Sequence, residues 1–287
     1  MDKYTLKQFL NDFPNDGVCL DWLRHRRWDE RINCPGCGRE AKFYRIKDRK
    51  VYGCEHCGYQ ISPTADTIFH KSSTPLSTWF YTIYLMAQTR GGISAKQIER
   101  ETGVTYKTAW RMCKQIRMML DEDIDPMSGT VEVDESYFGG KGKVTRGRGA
   151  ENKTPLIGIV GREDGTVEAH AIPDTKRSTM FPIISQEVVQ GASVYTDEYP
   201  VYNTLGMNGF AHKRVLHSHN LYVIGDVHTN TIEGFWSLAK NGIRGVYHHC
   251  SAKYLQMYIN EYSFRYNHRS DDQPMFLTFL SHSTLEQ

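Results

Sequence analysis

The chain has 287 residues, of which 39% are hydrophobic and 24% are charged, a composition typical of globular proteins rather than of disordered or fibrous ones. No run of about 18 uninterrupted apolar residues occurs, which excludes a membrane-spanning helix. The N-terminal residues also lack the apolar segment of a secretory signal, so we expect a reducing, cytoplasmic compartment.

The formal net charge of +2 conceals an asymmetry between the two halves of the chain. Residues 1–120 carry 20 lysines and arginines against 12 acidic residues, whereas residues 121–287 carry 15 against 21. This distribution predicts a polyanionic partner for the front half and carboxylates gathered for metal binding in the back half. Solvated charged faces on both halves would give the same asymmetry.

Four of the seven cysteines form two closely spaced pairs: Cys34, Cys37, Cys54 and Cys57. Each pair encloses two residues, and 16 residues separate the pairs. This is the spacing of a structural zinc site, because each pair forms a tight turn that directs two thiolates to one point. Two disulfides or a redox pair are the alternative, which the odd cysteine count and the expected compartment disfavour. We predict a zinc ribbon over 29–62 whose four thiolates hold a structural Zn²⁺.

Helical patterns flank the ribbon on both sides. Residues 1–28 are predicted as an N-terminal helical segment, and 63–120 as a buried apolar helix followed by two helices joined at a glycine turn. Ser94 and Thr105 are the expected N-caps of these two helices, and Gly103 marks the turn. The second helix would present three residues outward as a DNA recognition helix does: Tyr106, Lys107 and Arg111. A structural helical hairpin has the same pattern, but the basic surroundings favour a DNA-binding helix-turn-helix.

Residues 129–270 have the strand and helix pattern of an α/β domain, followed by a C-terminal tail over 271–287. The pattern predicts an antiparallel meander of three strands, then a helix, a strand, a short fifth strand and two helices. The expected strands are 129–138, 155–161, 166–172, 192–197 and 212–217, and the expected helices are 178–189, 230–245 and 251–267.

Three carboxylates of the α/β domain are predicted to converge. Asp134 ends the first strand and Asp197 ends the fourth, two strands that would be neighbours in a sheet of this order, and Glu233 lies in the helix that follows. A hard divalent cation relieves the repulsion between such carboxylates, and Mg²⁺ prefers sparse carboxylate ligation. Two such metals can activate a hydroxyl and stabilise the leaving oxygen of an in-line displacement. The simpler alternatives are solvated strand ends and a capping box that begins at Asn230 and includes Glu233.

Basic residues accompany these carboxylates. Lys240 lies on the same helical face as Glu233, where it can meet a DNA phosphate, and Arg244 follows one turn later. His228, with His248 and His249, is a further candidate for orienting a phosphate or water, with a structural role as the alternative. The glycine-rich loop 141–153 carries four more basic residues that we expect to contact DNA: Lys141, Lys143, Arg146 and Arg148. A surface insertion without function would have the same composition.

The chain resembles bacterial insertion-sequence transposases of the DDE type, in the group with an N-terminal zinc ribbon. The resemblance rests on segments spread over nearly the whole chain: CPGCG, CEHCG, GISAKQIERETGVTYKTAWRMCKQIR, VEVDESYFGGK, VYTDEYPVY, HTNTIEGFWSLAKNGIRGVYHH and YINEYSFRYNHR. It implies a ribonuclease-H-like catalytic domain, with a mixed five-stranded sheet and flanking helices, preceded by the zinc ribbon and the helix-turn-helix.

The resemblance also assigns roles by position. It makes Asp134 and Asp197 the first two catalytic residues and Glu233, separated from Asp197 by 35 residues, the third, with Lys240 as the accompanying basic residue. Some relatives use asparagine as the third ligand, so Asn230 is the alternative to Glu233. The implied catalytic cofactor is Mg²⁺ or Mn²⁺.

The sequence therefore predicts a DNA transposase. It would bind the inverted repeats of its element, hydrolyse phosphodiester bonds at the element ends and transfer the 3′ ends to target DNA by a two-metal mechanism. We expect a homodimer or larger assembly on DNA, and neither a membrane nor a small-molecule substrate as partner. A DNA-binding regulator with a silent back half and a structure-selective nuclease are the other hypotheses. A regulator does not need three convergent carboxylates.

Overall fold

The computed structural model describes residues 4–139, 153–215 and 228–284. The chain divides into two compact units, the first made of Met1–Met119 with Ser270–Gln287 and the second of Leu120–Arg269. Within the described ranges, no helix is long and apolar enough to cross a membrane. The basic loop residues Lys141, Lys143, Arg146 and Arg148 lie outside the described residues.

The helices of the described residues are α1 (Leu6–Asp12), α2 (Asp16–Arg27), α3 (Leu76–Gln88), α4 (Ala95–Thr102), α5 (Tyr106–Met118), α6 (Arg177–Glu187), α7 (Asn230–Gly242), α8 (Ala252–Asn267) and α9 (Met275–His282). The strands are β1 (Arg31–Asn33), β2 (Glu40–Arg45), β3 (Tyr52–Cys54), β4 (Gln60–Ile61), β5 (Thr130–Gly139), β6 (Lys153–Gly161), β7 (Val167–Ala171), β8 (Ser193–Thr196) and β9 (Ala211–Arg214). One turn of π-helix, Ile243–Tyr247, continues α7.

An aromatic core holds the helices of the first unit together. The N-terminal stretch forms two helices rather than one, because Pro14 interrupts the helix and the Asn15 side chain then caps α2 by accepting the Val18 N–H at 3.1 Å. Residues 271–287 contain α9, which packs against α3. Phe276 of α9 is fully buried, with its ring 5.6 Å from that of Phe9. The C-terminal stretch therefore completes the core of the first unit.

The turn between α4 and α5 has the predicted local structure. The hydroxyl of Ser94 accepts the N–H of Gln97 at 3.1 Å, and that of Thr105 caps α5 in the same way. Gly103 lies between the two helices with a φ of 71°, a left-handed conformation that glycine adopts without strain. The side chains proposed for recognition are all exposed: Tyr106, Lys107 and Arg111.

The ribbon is a four-stranded antiparallel sheet in the order β1-β2-β3-β4. The two inner strands follow the first cysteine pair and lead into the second, and the short outer strands add to them. Ala41, Phe43 and Tyr52 are buried on one face, and the Tyr52 hydroxyl donates a hydrogen bond to Asp21 of α2. This face anchors the ribbon to the helices of the same unit.

The second unit contains a mixed five-stranded sheet in the order β7-β6-β5-β8-β9. β5, β6 and β7 form the predicted antiparallel meander, and β8 and β9 run parallel to β5. Val131 and Val133 pack with α6 on one face, whereas Val160 packs with α7 and α8 on the other. The predicted mixed sheet with flanking helices is confirmed.

Candidate active site

Two aspartates and a glutamate meet where β8 ends beside the middle of β5, so Asp134 lies within its strand and not at the strand end that the sequence analysis predicted. Asp134 lies on β5 and Asp197 directly follows β8, which pairs with β5 in parallel register. Continuing that register by two residues brings Asp134 level with Asp197. Each residue of the trio Asp134, Glu135 and Asp197 offers a carboxylate oxygen within 4.8 Å of the other two. The predicted proximity of Asp134 and Asp197 is thereby confirmed.

Glu135 is the member that the sequence analysis did not assign to this site. It is largely buried, and its carboxylate accepts a hydrogen bond from the buried Tyr202 hydroxyl at 2.9 Å. Burial raises the pKa of Tyr202 well above its usual value, and the nearby carboxylate of Glu135 raises it further. The signal in the sequence was the acidic pair Asp134-Glu135, which is followed by a second pair, Asp197-Glu198, on the neighbouring strand.

The environment of Asp134 disfavours its negative charge. Burial raises the pKa of this carboxyl to about 8, and the like charges of Glu135, Asp197 and Glu233 act in the same direction. A divalent cation relieves this repulsion, and oxygen donors at this spacing suit a hard cation such as Mg²⁺.

Asp134→Asn is expected to make the metal-free protein more stable, with a melting temperature at least about 2 °C higher at pH 8.5. Because the folded pKa lies above that of the unfolded chain, the stability of the unmodified protein falls as the pH rises from about 4 to about 8. The asparagine side chain does not ionise, so its variant does not lose stability in this way. The difference in melting temperature between the two proteins should therefore vanish near pH 4. Thermal melts with chelator at both pH values measure the difference.

Asp174→Asn is the matched control for this prediction. The side chain of Asp174 accepts hydrogen bonds from Thr179 and Lys176, which lower its pKa to about 2. Its carboxylate therefore stabilises the fold at neutral pH, and the same substitution should lower the melting temperature. Equal shifts in both variants would contradict the electrostatic argument.

Glu233 and Asn230 both lie in the first two turns of α7, with exposed side chains. Glu233 interacts electrostatically with Asp134, and its carboxylate accepts a hydrogen bond from the Thr229 hydroxyl at 2.9 Å. The capping box that would begin at Asn230 does not form, because Asn230 is already helical and the preceding Thr229 makes no capping hydrogen bond. Glu233 therefore lies outside the trio of carboxylates within 4.8 Å of one another, and its charge acts on Asp134 from α7.

A buried carboxylate on β5 caps α7 instead. Glu132 is fully buried and accepts the backbone N–H groups of Thr231 and Ile232 at 2.9 and 3.0 Å. It also pairs with Arg162, whose Nε donates to it at 2.7 Å. Arg162 in turn donates to Nδ1 and to the backbone oxygen of His228, at 2.7 and 2.8 Å. His228 thus takes part in a structural network.

Glycine on the neighbouring strand lets α7 lie close to the sheet. Gly158 of β6 stands opposite Asp134 in the antiparallel register. A Cβ atom at this position would clash with Trp236 and Ile232 of α7. Trp236 is buried in the core beneath α7.

Cationic side chains line an open pocket beside Phe138. The pocket, about 390 Å³ including the solvent at its mouth, is lined by Tyr137, Phe138, Gly139, Lys240, Ile243, Arg244, His248, His249, Cys250 and Leu255. The Lys240 ammonium lies 5.7 Å from the centre of the Phe138 ring. Burial lowers the pKa of Lys240, and the like charges of Arg244 and Lys153 lower it further. The negative charge of Asp134 raises it and so opposes this shift. Lys240 and Arg244 thus bring positive charge to the pocket, which an anion would stabilise.

The four cysteines of the ribbon form a second cluster. The sulfur atoms of Cys34, Cys37, Cys54 and Cys57 all lie within 4.8 Å of one another. Backbone N–H groups of Gly36 and His56 point at the sulfurs of Cys34 and Cys54, both at 3.4 Å. Four thiolates at this spacing fit a tetrahedral structural Zn²⁺ and leave no open position on the metal.

Both clusters lie within segments that match known protein families. Residues 126–267 match the model of the "ISXO2-like transposase domain", and residues 14–60 match that of the "Transposase zinc-ribbon domain". The chain is also 31% identical, over 281 residues, to an "uncharacterized protein in transposable element ISH50" of Halobacterium salinarum, covering 89% of this chain and 92% of that protein. The chain belongs to the ISXO2-like transposases.

Two further similarities are more limited. A "transposase-like protein" of Haemophilus influenzae is 28% identical over 96 residues, which cover 33% of the transposase described here and 76% of that protein. One chain of a simian T-cell lymphotropic virus intasome, solved in complex with PP2A regulatory subunit B56 gamma, is 11% identical, with a TM-score of 0.32. That match covers 62% of this transposase and 66% of the viral assembly's chain, just under two thirds of its length. Similarity at this TM-score does not establish a shared fold.

Proposed function

We propose that this transposase binds the inverted repeats of an insertion sequence, hydrolyses phosphodiester bonds at its ends and transfers the 3′ ends to target DNA. The observation that carries this proposal is the meeting of Asp134 and Asp197 on neighbouring parallel strands, inside the segment that matches the transposase domain. The mixed sheet with flanking helices supports a ribonuclease-H-like fold for the catalytic unit.

The carboxylates of Asp134 and Asp197 would hold two Mg²⁺ ions, with Mn²⁺ as a substitute. Glu233 is our preferred third ligand, because a charged oxygen donor binds Mg²⁺ better than the amide of Asn230. Bound metals would activate the attacking hydroxyl and stabilise the leaving oxygen. The chain itself positions the carboxylates. The Tyr199 N–H donates a hydrogen bond to Asp197 at 2.8 Å, and the parallel pairing of β5 with β8 brings Asp134 level with Asp197.

The first unit would recognise the element ends. The capped helices α4 and α5 support a helix-turn-helix, whose exposed residues for DNA contact are Tyr106, Lys107 and Arg111. Lys240 and Arg244 would contact the DNA backbone beside the carboxylates. Lys141, Lys143, Arg146 and Arg148, which lie outside the described residues, are also proposed to contact DNA. Since two element ends must be cut together, we propose a homodimer or larger assembly on nucleoid DNA.

Strand cleavage and joining by the purified, zinc-loaded protein test this function. The substrate is DNA that carries the two ends of the chain's own element, incubated with Mg²⁺ or with chelator. Metal-dependent cleavage at the ends followed by joining to target DNA is the expected result. Cleavage without joining, and without a requirement for the element ends, would identify a nuclease. Tight binding that is unaffected by metal and followed by no cleavage would identify a regulator.

Lys240→Met is expected to weaken binding to the element ends and to reduce the slope of log K against log salt by about 1, because one phosphate contact disappears. Methionine keeps the unbranched stem that covers Phe138. Fluorescence anisotropy across a salt series measures both quantities. The control is Lys176→Met, which removes an exposed cation that pairs with Asp174 away from the pocket. Identical salt slopes in the two variants would show that Lys240 does not contact the backbone.

A further inference from the structure

We propose that Glu132 is a positioning residue: its buried carboxylate anchors the first turn of α7 to β5 and so holds Glu233 in place beside Asp134. This proposal rests on the metal site of the proposed function. Glu132 precedes Asp134 by two residues on the same strand, so both side chains face the side of the sheet that α7 covers. The strand that carries one metal-binding carboxylate thereby also fixes the helix that carries another.

The contacts of Glu132 fully satisfy its carboxylate. One oxygen accepts the N–H groups of Thr231 and Ile232, and the other accepts the Thr231 hydroxyl at 2.9 Å and Arg162 Nε at 2.7 Å. The free N–H groups at a helix N-terminus carry partial positive charge, so a carboxylate is a favourable partner there. A fully buried carboxylate without such partners would be strongly destabilising.

Arg162 extends the anchor to a third strand. It directly follows β6, its guanidinium lies 4.8 Å from the centre of the Tyr195 ring on β8, and it donates to His228 just before α7. Nδ1 of His228 lies 2.7 Å from the Arg162 guanidinium and 3.2 Å from the Glu132 carboxylate, so the histidine contacts both members of the ion pair. The network thus links β5, β6 and β8 to the start of α7.

The alternative is a general contribution to folding without any effect on the metal site. The chain offers a matched control for it, because Glu261 of α8 is also fully buried and pairs with Arg265, one turn further along the same helix. Both glutamates belong to the second unit, but Glu261 accepts hydrogen bonds from Arg265 and from Tyr247, which lies beyond the C-terminal end of α7. Replacing either glutamate by glutamine removes a buried charge from an arginine pair, so both variants should lose thermal stability.

The test compares Mn²⁺ affinity in the full zinc-loaded chain, measured by calorimetry at a temperature at which each variant is folded. Glu132→Gln is expected to weaken Mn²⁺ binding roughly ten-fold, the effect typical of groups that orient metal ligands, whereas Glu261→Gln should leave it within about two-fold. Hydrogen exchange without metal gives an independent readout. The amides of Thr231 and Ile232 should exchange faster in Glu132→Gln than in Glu261→Gln.

Unchanged Mn²⁺ affinity in folded Glu132→Gln would overturn the positioning role and leave the metal site intact. No Mn²⁺ binding by the unmodified protein, or binding that survives Asp134→Asn with Asp197→Asn, would overturn the metal site and the positioning role together. If Glu132→Gln does not fold, Thr231→Val removes only the hydroxyl contact with Glu132. This milder variant should still weaken Mn²⁺ binding by a few-fold, and an unchanged affinity would contradict the proposal.

Discussion

Asp197→Asn is expected to reduce strand cleavage and strand transfer by at least about 10³-fold, because it removes a charged metal ligand while preserving the shape of the side chain. The backbone conformation should survive the substitution, since the asparagine side-chain oxygen can still accept the Tyr199 N–H that Asp197 accepts at 2.8 Å. Cleavage of end-bearing DNA in single-turnover reactions, with Mg²⁺ and separately with Mn²⁺, measures the loss.

DNA binding provides the control for this variant. Asp197 belongs to the second unit, whereas the proposed recognition helix belongs to the first, so affinity for the element ends should stay within about two-fold. Asp174→Asn, in the same unit but outside the carboxylate trio, should cleave nearly as fast as the unmodified protein. Substantial cleavage by Asp197→Asn would require a different set of catalytic groups.

The proximity of the two aspartates was predicted because their strands were expected to be neighbours in a sheet of this order. Asp197 follows the end of β8 as predicted, whereas Asp134 lies within β5 rather than at its end and reaches the site through the parallel register of the two strands. Glu135 was not assigned, because acidic residues that flank the pair in the sequence could simply be solvated. Its buried contact with Tyr202, a residue far away in the sequence, could not be inferred from a local pattern.

The N-terminal cap of α7 is a second feature that local sequence patterns could not predict. The residues from Asn230 to Glu233 fit a capping box, a motif defined entirely by local spacing. In the structure the helix N-terminus is satisfied by Glu132, 99 positions before Thr231, through an interaction that only the fold creates. The break between α1 and α2 and the helix α9 had local signals, namely Pro14 and the apolar residues around Phe276. Their places in the core of the first unit depend on tertiary packing.

Removal of the structural zinc is expected to have the largest effect on stability. Cys34→Ser should abolish zinc binding and unfold residues 29–62, because the strands of the ribbon are only two to six residues long and bury few side chains. Structural zinc sites in small domains contribute about 10–16 kcal/mol of apparent binding free energy, more than such a sheet can supply by packing. Zinc content after gel filtration and limited proteolysis of the ribbon measure both consequences.

Cys19→Ser is the matched control for this loss. Cys19 is fully buried in α2 of the same unit, outside the four-cysteine cluster, and burial raises the pKa of its thiol to about 12, which keeps it unreactive. This variant should retain one zinc per chain and an intact ribbon. The mixed sheet has its own core in the second unit, so Cys34→Ser should retain a cooperative melting transition from that unit. A full complement of zinc and a protease-resistant ribbon in Cys34→Ser would contradict the four-thiolate site.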